Sequence, residues 1–331
     1  MSSLAAAEPQ RTKGPGLGSL LGRGRKPRKD VRRRIGEKAF TPYLFIAPHF
    51  ILFSVFIVFP FFLGIWISLH DSTALRDGPF VGLRWYMQLF DPENRTQFPR
   101  FWNSVWNTMI FVLISVPLLV SAGLALASLL NQPLRGRNFF RGIYFVPWTL
   151  SVSVVSLVWW WMFNGNAGFI TLLLQNLLGE SPNWLASNPG AWITIIVATL
   201  WWTIGFNTII FLAGMQGISL DLYEAASIDG ANKWQQFRAI TLPSLRPILL
   251  LVVTLQIIAS FQLVGQPQLI TGGGPPSELG GETTSVLLHI VNTGFFGRRE
   301  LSLAAAMALI VAAIMVIVSI VNFRLFSSER S

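Results

Sequence analysis

Between two long apolar segments the chain carries Glu224-Ala225-Ala226, Asp229-Gly230 and, a few residues on, Trp234, Phe237 and Pro243. These residue types suit the docking of one surface on another rather than the making of bonds. Asp221 and Glu224, three residues apart on one helix, share a face, and the two alanines leave the opposite side thin enough for close approach. A second polar set lies inside the flanking apolar segments. Trp202 and Phe206, Thr203 and Asn207, and Gln256 and Ser260 are each spaced i, i+4, with Phe261 and Gln262 adjacent to the last pair. Aromatic faces beside amides and hydroxyls are what a carbohydrate needs, C–H surface against ring and hydroxyl against polar group. The same residues could equally pack and hydrogen-bond between membrane helices.

The residues needed for most other chemistry are missing. There is no cysteine, and His49, His70 and His289 lie far apart with no metal-ligand spacing. The Gly-rich stretch TGGGPP at 271–276 lacks the lysine of a phosphate loop, so the chain has no such route to ATP. No Asp, Glu, Lys or Arg occupies the central part of an apolar segment, which disfavours a proton relay or an ion-coupled carrier. Nor is there a paired carboxylate at membrane depth to serve an intramembrane enzyme. Uphill movement of a solute would need energy from another chain.

These residues must be positioned by membrane helices. Of the 331 residues, 52% are hydrophobic and 12% are charged, and mean hydropathy is +0.53. That is about half the charge of an ordinary soluble domain. Six runs long enough to cross a hydrocarbon core are predicted, at 43–69, 105–130, 143–163, 191–215, 248–270 and 301–323. Prolines 48, 60, 117 and 147 fall inside the first three and are read as kinks rather than breaks. With the N terminus inside, nineteen of the 25 Lys and Arg lie on the inner side and six outside, which places both termini and the loop 216–247 in the cytoplasm. The basic segment 1–40 carries the stretch GRGRKPRKDVRRRIGEK, which has no aromatic residue for base stacking and leads directly to the first span. It reads as a disordered topogenic tail beside anionic lipid, not as a nucleic-acid binder. Residues 327–331 form a short tail on the same side.

Within the loop, Ser219 is placed to cap a short helix, and Asp229-Gly230 to end it through a left-handed glycine. A second helix, about 231–240, brings Trp234 and Phe237 to one side, and Pro243 and Pro247 stop it. Two interfacial helices resting on lipid headgroups would show a similar pattern.

Glu224-Ala225-Ala226, Asp229-Gly230-Ala231, Phe237, Ile240, Leu242-Pro243 and Pro247 resemble, over more than twenty residues, the EAA loop of the permease subunits of binding-protein-dependent ABC importers. FVGLRWYMQLFDP at 80–92, Asn107-Thr108 and LITGGGP at 269–275 resemble the first permease of carbohydrate importers of the maltose, glycerol-phosphate and oligosaccharide type. One departure is Trp85, where that pattern commonly has Asn, so any role tied to that Asn is in doubt. The resemblance runs over about 40–326 and implies an all-α, six-helix type I permease fold with cytoplasmic termini. It implies no enzyme activity in this chain, with ATP and Mg bound by a separate ATPase dimer that docks on Glu224, Ala225, Ala226, Asp229, Gly230, Trp234, Phe237 and Pro243. It also implies a second, homologous permease, an external solute-binding protein or lipoprotein, and residence in a bacterial or archaeal cytoplasmic membrane. Trp202, Thr203, Phe206, Asn207, Gln256, Ser260, Phe261 and Gln262 would then line the path of a sugar, polyol or sugar phosphate. An ion-coupled carrier, or an ABC permease for a polyamine- or phosphate-like solute, is the alternative.

Overall fold

The computed structural model describes residues 41–73, 78–133, 135–165, 167–179, 183–277, 280–296 and 299–327. The basic segment 1–40 and residues 328–331 lie outside them. The chain divides into two units, residues 1–60 and 61–331. In the first, α1 (Thr41–Phe53) passes through a π-helical turn, Ser54–Val58, and reaches the start of α2 (Phe59–Ser68). Pro60 has no N–H to offer the carbonyl of Phe56, and the wider π turn just before it is the local adjustment that keeps the helix continuous.

The second unit continues with α3 (Arg84–Phe90), α4 (Gln97–Leu130), α5 (Arg137–Phe145), a 3-10 turn Val146–Thr149, α6 (Val152–Phe163) and α7 (Phe169–Leu178). After a short 3-10 turn, Trp184–Ala186, come α8 (Gly190–Gln216), α9 (Leu220–Ile228), α10 (Lys233–Gln236), a π turn Phe237–Thr241, α11 (Leu242–Ser244) and α12 (Arg246–Phe261). The chain then makes a π turn, Pro267–Thr271, and a two-stranded ribbon, β1 (Pro276–Ser277) and β2 (Gly280–Gly281). It ends with α13 (Val286–Val291), a π turn Asn292–Phe296 and α14 (Leu301–Ser327).

Among the described residues, four helices are long and apolar enough to cross a membrane: Tyr43–Ser68, Gln97–Leu130, Gly190–Gln216 and Leu301–Arg324. Two bent pairs raise the number to six if each is one span. The third predicted run is one of these pairs. Pro147 is not a simple kink: the helix stops at the 3-10 turn and α6 leaves at 97° to the preceding helix. Proline removes a ladder donor here, and Ser151 caps the new helix by accepting from the Val154 amide at 3.3 Å. The fifth predicted run is also corrected. Its helix ends at Phe261 rather than 270, because the chain turns at 262–264 and Pro267 opens a separate π turn. Gly265 sits there with no room for a side chain, since a Cβ would lie 2.7 Å from Val152 Cγ2.

Helix α8 is the centre of the second unit. One apolar cluster, around Phe111, Val155, Trp159 and Ile195, joins it to α4 and α6. Another, around Ala127, Phe211, Met215, Leu245 and Val252, joins it to α4, α12 and the end of the loop. A third cluster packs α4 against α3, α12, α13 and α14 through Phe101, Phe261, Leu303 and Met307. The close approaches are made at glycines. A Cβ on Gly205 would stand 1.9 Å from the Tyr144 carbonyl oxygen, and one on Gly123 would stand 2.8 Å from Asn207 Cβ. Small residues at such crossings let backbones pack closely where lipid supplies no hydrophobic drive between helices.

The ribbon and the residues after it are held by α4 and α8, with Asn107 Nδ2 also donating to the Gly281 carbonyl at 3.4 Å. Asn107 Nδ2 donates to the Thr284 carbonyl at 3.2 Å, Thr108 Oγ1 accepts from the Val286 amide at 2.8 Å, and Trp192 Nε1 donates to the Glu282 carbonyl at 3.1 Å. Trp85 is buried and donates to the His70 carbonyl at 2.9 Å, with the Arg84 guanidinium 4.5 Å from its ring centre. The position where the related pattern has Asn thus serves here to fasten one outer segment to another.

Two outcomes follow. Gly205→Ala must push α8 away from a backbone carbonyl, whereas a Cβ at Gly214 meets the flexible Ile248 Cδ1 and one at Gly142 meets nothing within 4 Å. The expected order of lost thermal stability in detergent is Gly205→Ala, by about 1–3 kcal/mol, then Gly214→Ala, then Gly142→Ala near zero; equal midpoints would refute the close-packing account. His289, in α13, is held to a pKa of about 4 by burial and then by the positive charge of Arg100. The unfolded chain therefore binds the extra proton first, and stability should rise with pH from about 4 to the ordinary value of 6.5 and be lost on acidification. In His289→Phe the melting midpoint should depend less steeply on pH across that window, and an unaltered slope would reject this origin.

Candidate functional site

The loop between α8 and α12 folds as two short helices. Ser219 Oγ accepts from the Asp221 amide at 3.3 Å and caps α9, as its place before the first turn predicts. Gly230 ends that helix at φ +81°, the left-handed conformation expected of it. The second helix differs from the expected 231–240 segment. Asn232 and Gln235 form a reciprocal capping box, at 2.9 and 2.7 Å, so α10 starts at Lys233. After one turn it widens into the π turn Phe237–Thr241 and continues as α11, with Pro243 at its first turn.

The structure leaves most of the residues read from the loop sequence at the surface. Glu224, Ala225, Asp229, Gly230, Trp234 and Pro243 are exposed, and Ala226 and Phe237 are half-buried. The rings of Trp234 and Phe237 stack with centroids 5.7 Å apart, and Trp234 is 68% exposed. Ile228, which the sequence reading did not single out, is 87% exposed beside Asp229. The surface offered is a carboxylate, two small side chains and large apolar groups facing outward. Such a patch is what a partner surface covers.

The polar set of α8 and α12 divides. Gln256 Nε2 donates to Asn207 Oδ1 at 2.7 Å, and both residues are buried, 4% and 0% exposed. Asn207 Nδ2 is buried with no acceptor among the described residues. Thr203 Oγ1 donates to the Thr199 carbonyl at 2.7 Å, within its own helix. Ser260 and Phe261 are buried as well, Phe261 in the cluster shared with α4 and α14. Trp202 and Phe206 are half-buried, and Gln262, at the end of α12, is exposed.

The break after α5 adds a residue that periodicity did not mark. Trp148, in the 3-10 turn, stacks on Phe206 with centroids 4.6 Å apart and lies 5.4 Å from Trp202. Trp202 Nε1 in turn donates to the Leu150 carbonyl at 3.2 Å, holding the ring against the break. The result is a three-ring shelf at the point where the bent segment meets α8. In the sequence, Trp148 differs from the other tryptophans of that stretch only in following Pro147, so the signal was the proline and not the aromatic.

The comparisons with known proteins agree with this geometry. A model of the family described as the binding-protein-dependent transport system inner membrane component matches residues 119–328. The trehalose/maltose transport system permease protein MalF of Thermococcus litoralis is 38% identical over 266 residues, covering 79% of this chain and 86% of that one. The lactose transport system permease protein LacF of Rhizobium radiobacter is 32% identical over 285 residues, covering 85% and 92%. The sulfoquinovosyl glycerol transport system permease protein SmoG of Agrobacterium fabrum is 33% identical over 288 residues, covering 86% and 90%. A chain of the solved bacterial ABC transporter that imports the acidic polysaccharide alginate superimposes with a TM-score of 0.75 at 20% identity, covering 88% of this chain and 96% of that one. Helix order, the exposed EAA loop and a family match over more than half its length agree: the chain belongs to the inner-membrane components of binding-protein-dependent transport systems, a membrane permease and not an enzyme.

Proposed function

We propose that this chain is the first permease of an ATP-driven importer that carries a sugar, a polyol or a related sugar phosphate inward. The observation that carries the reading is the loop 216–247, whose carboxylate, small and apolar groups are turned outward between two helices that reach into the bundle. On this reading each bent pair is one span, which makes six, and both termini and that loop lie in the cytoplasm; the four long apolar helices, the two bent pairs and the distribution of Lys and Arg support it. A separate ATPase dimer holds ATP and Mg and docks there, with Glu224 in polar contact, Ala225 and Ala226 allowing close approach, and Gly230 shaping the bend. Trp234, Phe237, Asp229 and Pro243 complete the docking face.

A second, homologous permease completes the pathway, and an external solute-binding protein or lipoprotein delivers the solute to the outer face. The named cargo of the relatives (trehalose/maltose, lactose, sulfoquinovosyl glycerol) supports the carbohydrate class. The three-ring shelf of Trp148, Trp202 and Phe206 is shaped to stack on sugar C–H faces. Gln262 offers an exposed amide, while Thr203, Asn207, Gln256, Ser260 and Phe261 form the layer behind, reached by solute when the helices rock apart. The host membrane is the cytoplasmic membrane of a bacterium or archaeon.

In proteoliposomes holding the full complex, Glu224→Ala and Gly230→Pro are expected to lower uptake at least tenfold with membrane insertion intact, since each removes a docking contact or a required left-handed residue. Parent-like uptake by both would end the coupling assignment. Trp148→Ala and Gln256→Ala should alter rate or preference across a panel of labelled di- and oligosaccharides while binding-protein-stimulated ATP hydrolysis persists. The same preference profile in both variants would remove this surface from the path.

A further inference from the structure

The docking loop lacks an apolar core of its own. From 219 to 244 the only buried residues are Gln236, 4% exposed, and Thr241, 6% exposed, and both are polar. No residue of α9 is buried, and the large apolar groups Leu220, Leu222, Ile228 and Trp234 all face outward. The buried side chains that tie the two short helices together are therefore polar. Gln236 Nε2 donates to Ser227 Oγ at 2.9 Å and to the Ala231 carbonyl at 3.1 Å. Ser227 Oγ donates in turn to the Tyr223 carbonyl at 2.7 Å. The Tyr223 hydroxyl pairs with Thr241 Oγ1 at 2.8 Å, inside the π turn that leads to α12. The bonds run from α10 to α9 and, through the Tyr223 side chain, back to the root of α12.

We propose that Tyr223, Ser227, Gln236 and Thr241 form a polar brace that makes the loop a rigid crank. They are positioning residues that pass displacement of the docked face into α12 instead of letting the loop flex. The inference rests on the coupling role proposed for the loop. A π turn shifts the register of the helix, so its residues are held less firmly by the backbone ladder, and Thr241 sits where an outside tie has most effect. Without the brace, α9 would still carry Glu224 and still dock, but its motion would be taken up at the Phe237–Thr241 turn. Docking and hydrolysis would continue while work on the membrane helices failed.

The test uses the complete complex with the second permease, the ATPase and the binding protein, reading uptake of labelled di- and oligosaccharides per ATP hydrolysed. Tyr223→Phe and Gln236→Leu are each expected to lower that ratio about fivefold, the scale of one lost hydrogen bond. Their double variant should fall by less than the product of the two, and Thr241→Ser, which keeps the hydroxyl, should match the parent. Amide exchange of the full chain in nanodiscs should quicken about fivefold within α9 and α10 in Tyr223→Phe, with the membrane helices unchanged. A parent-like ratio in both single variants, or unchanged exchange, would overturn the brace. Glu224→Ala separates the two ideas: if it alone abolishes uptake, only the brace is lost, and if it too transports like the parent, the coupling role itself is wrong.

Discussion

The arrangement depends on how closely α8 is allowed to approach its neighbours. At Gly205 the helix lies against a backbone carbonyl of the segment before the 97° break, and opposite Gly123 it carries Asn207, whose amide oxygen accepts a hydrogen bond from Gln256 of α12. In a bilayer, apolar side chains gain little by leaving lipid for protein, so contact distance and a few buried polar bonds decide which helices stay together. One helix therefore fixes the aromatic shelf on one side and the root of the coupling loop on the other.

The two functional surfaces are built on opposite principles. The shelf consists of stacked rings on helices and a 3-10 turn, with the Trp202 indole tied to the Leu150 carbonyl, so its shape is set by packing. The loop keeps its apolar groups for the outside and is shaped by hydrogen bonds, with two buried polar residues where a core would otherwise be. A module of about thirty residues with an apolar core would have few apolar groups left to offer a partner. Polar bracing resolves that conflict and leaves Ile228 and Trp234 free for contact.

Much of this was legible in the chain order of residue types. Ser219 and Gly230 act locally, within one turn of a helix, and local geometry follows from local chemistry. The apolar runs at 191–215 and 301–323 sit inside α8 and α14 for the same reason. The sequence also marked Asn107-Thr108 and LITGGGP separately. The partners of Asn107 and Thr108 were not marked: they bond to the Gly281 carbonyl of the ribbon and to the Val286 amide of α13, more than 170 residues away.

The sequence by itself determined that the protein is helical and apolar and where its polar loop is capped and turned, because composition, period and capping are properties of short stretches. Only the tertiary structure decided that Pro147 ends a helix instead of kinking it, and that the fifth run stops at Phe261. It also decided that Trp148 joins Trp202 and Phe206, and that Asn207 and Gln256 face one another rather than open space. Hydropathy cannot distinguish these outcomes: a straight and a broken span bury the same kinds of residue, and the choice rests on backbone contacts at Gly205 and Gly265 with partners remote in the chain.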